Sequence, residues 1–168
     1  MKAVMLSLRP QWCEKIFNGS KSIEVRKSRP SIPTPFKVYV YQTKHNGGKA
    51  IVSEVLNSVY SGGKVIGSFV CDDVITDFRG EHSDDFAKYA LLSLDEQKKY
   101  GGNKLLYGWH ITEPTLFEKP RGLGEFKHKI KVPWAWQENG KAIGYFYKWQ
   151  PITRAPQSWV YCETIDEK

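Results

Sequence analysis

The chain has 168 residues, a formal net charge of +7 and a sequence pI near 9.2, with 26% charged and 14% aromatic residues. The length suits one domain that can bury a core. No apolar run is long enough for a membrane helix, and MKAVMLSLRPQW is too short in apolar residues for a signal peptide, so a cytoplasmic protein without a membrane partner is expected. The basic balance favours an anionic partner, of which nucleic acid is the commonest soluble class, although surplus lysine also serves solubility. Cys13, Cys71 and Cys162 are odd in number and lack Cys-x-x-Cys spacing, which argues against a disulfide framework and a zinc site. Reduced thiols, no resident metal and no cofactor are the expectation.

Ala3 to Leu8 predicts a first strand. Pro10 then opens a helix at a position where its missing N–H costs nothing. Trp12 with Ile16 and Cys13 with Phe17 give that helix an apolar stripe, and Gly19 suits its left-handed stop. Residues 21–26 predict a short strand with Ile23 and Val25 on one face. Glu24 and Arg26 fall on the other, roughly 7 Å apart, with Lys21 at the preceding turn. SRPSIPTP (28–35) holds three prolines and reads as a loop. FKVYVYQT (36–43) alternates as a strand, HNGGK (45–49) as a turn, and 50–61 fits either a helix or a strand. SGGK (61–64) turns again, and 65–74 predicts a strand kinked at Gly67.

Ser83 starts a helix with Asp84 and Asp85 in its first turn, and Ser93 with Glu96 forms a capping box for a second helix ending at Gly101. LLYGWHI (105–111) predicts another strand, after which Pro114 and Pro120 bracket an irregular connection. Residues 129–136 and 142–149 flank Glu138-Asn-Gly-Lys141, a strong hairpin signal, and 158–163 predicts the closing strand. With no internal repeat, this order suggests one small mixed barrel over 1–168, decorated by short helices.

Lys21, Glu24 and Arg26 form the densest chemical constellation. A glutamate accepts from the exocyclic amine of a base, and lysine and arginine meet phosphate or carbonyl oxygens. The competing reading is an exposed ion pair worth under about 1 kcal/mol. Trp12 and Trp109 offer rings for stacking a base, against core packing as the alternative, and Tyr41 is read in the same two ways. His110 is a candidate base or a structural histidine; His45, His82 and His128 fall in loops. Lys129 and Lys131 lead a group of hairpin lysines interleaved with tryptophan and tyrosine, which suits phosphate neutralisation with stacking or, equally, an ordinary amphipathic hairpin.

Several motifs recur together: VMLSL leading into a helix, then Gly19, Lys21, Glu24 and Arg26 as G-x-K-x-x-E-x-R, then KVIGSFV, then YGWHI with a following FEKP. The set resembles the ASCH family of the PUA-like superfamily, over most of 3–126 plus 158–163, with 45–62 and 127–149 as insertions. The resemblance implies an α+β, β-rich fold: a small β-barrel with short flanking helices and an extra β-hairpin. It also implies a cleft beside the first helix, lined by the signature residues, with Ser7 and Ser158 near its opening. ASCH domains are regarded as RNA-binding or RNA-processing modules. Some relatives are ribonucleases, and others are amidohydrolases that remove an acyl group from a modified cytidine. In the latter a lysine and a threonine of this motif and a later glutamate do the chemistry. Lys21 matches the lysine, whereas Glu24 stands at the threonine, a departure that argues against that activity. Glu81, Asp84 and Asp85 match the later acid only loosely.

The resulting expectation is a monomer that binds RNA, single-stranded nucleic acid or a nucleotide. Lys21, Glu24 and Arg26 are its central residues, and Ser7, Trp12, Tyr41, Trp109, Ser158, Lys129 and Lys131 are further contacts. A nuclease using Lys21 and Glu24 is the alternative, with a divalent metal only in that case. The sequence shows no dense carboxylate cluster for two metals.

Overall fold

The computed structural model describes residues 2–44, 51–53, 58–60, 62–77 and 83–166. The expected turn at 45–49 and the candidates His45, Glu81 and His82 lie outside them. Strand β1 (Lys2–Leu8) runs into helix α1 (Pro10–Phe17), followed by β2 (Ile23–Arg26) and β3 (Phe36–Gln42). Two short strands, β4 (Ile51–Ser53) and β5 (Ser58–Tyr60), pair with each other, so the described part of the ambiguous segment is strand. Then come β6 (Lys64–Asp77), α2 (Ser83–Ala90), α3 (Leu94–Gly101) and β7 (Leu106–Arg121). A 3-10 turn (Leu123–Glu125) leads to the hairpin β8 (Lys127–Trp136) and β9 (Ala142–Pro151), and β10 (Trp159–Glu163) closes the order.

Six strands form the main sheet in the order β10-β1-β3-β6-β7-β2. β1 and β3 are parallel, joined through α1 and β2, and the remaining neighbours are antiparallel. The sheet curls into a half-barrel whose edge strands meet through side chains. At that seam Arg26 Nη1 donates to Ser158 Oγ (3.5 Å), Trp159 Nε1 to Ser28 Oγ (3.1 Å), and the Ser31 N–H to the Tyr161 hydroxyl (2.6 Å).

The expected strand at 21–26 starts at Ile23, leaving Lys21 in the turn. The expected irregular connection between Pro114 and Pro120 is a correction, because both prolines lie within β7. Pairing between β6 and β7 is interrupted around each of them, with shifts between Ser68 and Val70 and between Val65 and Gly67. A proline that cannot donate to the ladder is tolerated at such interruptions.

The core has three parts. Val4, Leu6, Val38, Val40, Phe69 and Trp109 pack beneath Cys13 and Ile16 of α1. The alternate residues Ala3, Met5, Tyr39 and Tyr41 pack the other side with Phe117, Phe126 and Ile152. Both faces of β1 and β3 are therefore covered, which is why their sequences are apolar nearly throughout. Ile23 and Val25 of β2 meet Phe86 and Ala90 of α2. Gly108 of β7 permits that approach, since a Cβ there would run into the Phe86 ring and Ile23.

Candidate functional site

The turn after α1 is fixed from two sides. The Lys21 N–H donates to the Lys15 carbonyl (2.9 Å) and the Ser22 N–H to the Tyr89 carbonyl (3.2 Å). The apolar side of β2 is taken by α2, so the alternate residues Glu24 and Arg26 look into the curl of the half-barrel. The ion pairs there are buried, not exposed: Lys21, Glu24 and Arg26 are 2%, 5% and 8% accessible. Arg26 Nη2 lies 2.9 Å from Glu24 Oε1, and Lys21 Nζ lies 3.6 Å from Glu24 Oε2. One carboxylate thus bridges two cations.

Each cation has a further anchor. Lys21 Nζ donates to the carbonyl of Ala90, the last residue of α2, where helix carbonyls lack internal partners and the dipole favours a cation. It also lies 4.9 Å from the Trp12 ring centroid. Arg26 Nη2 donates to the Ser7 carbonyl (2.9 Å). The Ser7 hydroxyl donates to the Pro156 carbonyl (2.6 Å), and the Ser7 N–H to the Ser158 carbonyl (3.0 Å). Burial pushes the Lys21 ammonium below its ordinary value; Glu24 opposes that shift, and Arg26 and Lys15 add to it.

The triad opens on a cleft of about 500 Å³, also lined by Ser7, Arg9, Trp12, Thr43, Tyr100 and Gln157. That size suits a small organic ligand. Its walls combine a half-buried indole, an exposed phenol and, with Arg9, an excess of positive charge. Among the described residues no group of three His, Cys, Asp or Glu is placed to hold a metal.

The structure brings together Lys21, Glu24, Arg26, Ser7 and Trp12 at this cleft, with Ser158 bonded to Arg26 at the seam. Tyr41 is instead buried in the second core, where desolvation raises its phenol. Trp109 is fully buried, edge-on to Phe36 at 5.7 Å between ring centroids. Lys129 and Lys131 stand on the separate β8–β9 sheet. His110 lies outside the cleft lining, with Nδ1 2.7 Å from Asp72 Oδ1. Asp84 is exposed on α2.

Arg9, Thr43, Tyr100 and Gln157 escaped the sequence reading. Tyr100 carried a usable signal, an aromatic ring near the end of the largely polar helix LDEQKKYG. Arg9 and Thr43 each follow the end of a strand, β1 and β3, which are parallel neighbours, so the sheet carries both to the same end.

No family model and no curated protein matches the chain. Solved structures do match. A crystal structure of ASCH from Zymomonas mobilis superposes with a TM-score of 0.53 at 20% identity, over 72% of this chain and 73% of that one. A serine-to-alanine mutant of ZmASCH from the same organism gives a TM-score of 0.54 at 18% identity, over 72% and 74%. A tyrosine-to-phenylalanine mutant gives 0.54 at 18%, over 73% and 77%. At these identities the likeness is one of fold, and it agrees with the curled sheet, short helices and seam described above: the chain has an ASCH-like fold.

Proposed function

We propose that the seam cleft binds RNA or a nucleotide, with the base read by Glu24 and the phosphate held by the surrounding cations. The observation that carries this reading is the buried Lys21–Glu24–Arg26 triad opening on a cleft walled by Trp12 and Tyr100. Each carboxylate oxygen has two lone pairs, so Glu24 can accept from a base amine while keeping its cations. The two rings supply stacking faces, and Arg9, exposed in the lining, offers a guanidinium to a phosphate.

Calorimetric titration with the four nucleoside monophosphates and short single-stranded RNA tests this. Saturable binding is expected, weakened about tenfold or more in Glu24→Gln, since a hydrogen bond to a charged group contributes roughly 1.5–3 kcal/mol, and about fivefold or more in Trp12→Ala, since stacking of a base on a ring contributes roughly 1–3 kcal/mol. Absence of binding to every ligand, or unaltered affinity in both folded variants, contradicts it.

The same triad suits a second reading, RNA hydrolysis with Glu24 as proton acceptor and Lys21 and Arg26 stabilising the charged phosphorane. Loss of full-length labelled RNA, abolished by Lys21→Met, distinguishes it from binding alone; adding and chelating a divalent metal in the same assay addresses metal dependence. The bridged arrangement, with both cations already engaged by Glu24, favours binding over proton transfer.

A further inference from the structure

The β8–β9 hairpin forms its own two-stranded sheet outside the half-barrel, and the cleft leaves it without a role. Its register sets Lys129 opposite Trp149, Lys131 opposite Tyr147, and Pro133 opposite Tyr145. Residues opposite one another share a face, as do alternate residues along a strand. Lys127, Lys129 and Lys131 therefore form one row, and Tyr145, Tyr147 and Trp149 a second row beside it, each repeating at about 6.8 Å. All six are exposed, Tyr147 to 65%. Ile130 and Val132 alternate to the opposite face and are half-buried there, while Phe146 and Lys148 across from them are exposed. Lys129 Nζ lies 5.3 Å from the Trp149 ring centroid, directly across the ladder, and Lys131 Nζ 3.8 Å from that of Tyr145, one diagonal step away, so each lysine sits against a ring.

We propose that this lysine-and-ring face is a second binding surface, and that its partner is single-stranded nucleic acid. The proposal does not depend on what the cleft binds. Such a strand repeats a negative phosphate and a flat base along its length, and the two rows offer a cation and a ring at a common repeat. The hairpin carries five lysines against the single acid Glu138, so its charge complements a polyanion. Other occupants fit less well. A second copy would bring two faces of like positive charge together. A bilayer would take the exposed Trp134, Trp136 and Ile143 beside the tip, but the tip itself, Gln137-Glu138-Asn139-Gly140-Lys141, is polar and charged and has no apolar residue to insert. An acidic peptide matches the charge but leaves the rings without planar partners.

Fluorescence anisotropy of the full chain with a labelled oligouridylate of about 12 nucleotides, across a salt series, tests this. Lys129→Ala with Lys131→Ala should weaken binding about tenfold or more at low salt and reduce the salt slope by roughly 1.4, the share of two phosphates on a single strand. Tyr147→Ala should weaken it about fivefold or more with the slope unchanged, and Tyr147→Phe should restore it. The lysine and tyrosine effects should persist in a Trp12→Ala background, whether or not that change itself lowers affinity through the cleft. Unchanged affinity in the lysine and tyrosine variants overturns the proposal. So does polyglutamate competing as well as oligouridylate at equal charge. Hairpin-dependent binding to phosphatidylserine vesicles with no dependence for oligouridylate also overturns it, in favour of a membrane surface.

Discussion

Glu24 is the residue on which two buried cations depend. Truncation to alanine leaves Lys21 and Arg26 facing each other without a counter-charge, a loss expected to cost about 3–5 kcal/mol of stability. Urea unfolding of Glu24→Ala measures this, and a cost under about 1 kcal/mol would mean that the triad is solvated in solution. Lys21 carries a pH signature. Its folded-state pKa lies below the ordinary 10.5, so between those two values the unfolded chain binds more protons and the Lys21 contribution to stability rises with pH. Lys21→Met removes that contribution, so the stability of the wild type minus that of the variant should increase as pH rises through this window. The raised thiols act oppositely but equally in both proteins, and cancel. Alternation along β2 already placed Glu24 and Arg26 together; which way their face looked was not legible. That is decided by α2 covering Ile23 and Val25, a contact between segments about sixty residues apart in sequence.

At the scale of elements, local chemistry was read where it is local. Pro10 opens α1, Ser93 and Glu96 make the capping box of α3, and Asn139-Gly140 turns the hairpin, with Gly140 at φ +78°. The length of β7 was not legible, because prolines argue against a strand unless interruptions in its partner are known, and those depend on β6. Helix α2 is the element that directs the triad inward and receives Lys21 at its end, and Gly108 is the point on which its seating rests. Gly108→Ala should force Phe86 and Ile23 apart and cost about 1–3 kcal/mol, as overpacking does. A thermal melt of that variant measures the cost, and a melt matching the wild type would show that α2 sits further from the sheet.

At the scale of the whole molecule, the cleft is assembled from chain segments that are remote in sequence: the end of β1, the turn before β2, helix α3 and the stretch before β10. The G-x-K-x-x-E-x-R signature supplied its centre, and no local pattern could supply walls brought by a curling sheet. The core that supports it encloses all three thiols, with Cys13 and Cys71 in one cluster and Cys162 in another. Burial pushes Cys71 and Cys162 up to about 12, and Cys13 is also raised by the Glu24 carboxylate. An aromatic disulfide reagent should therefore modify the native protein only as fast as it opens, and all three thiols at once in urea. Rapid modification of one thiol under native conditions would reveal local opening of its cluster. A crystal structure of the protein with the nucleoside monophosphate that binds it most tightly decides whether the triad cleft is a nucleotide site. The base should lie between Trp12 and Tyr100, with one of its amines within hydrogen-bond distance of Glu24 and the phosphate towards Arg9. A nucleotide bound away from the Lys21–Glu24–Arg26 triad, with the cleft empty, would contradict this placement.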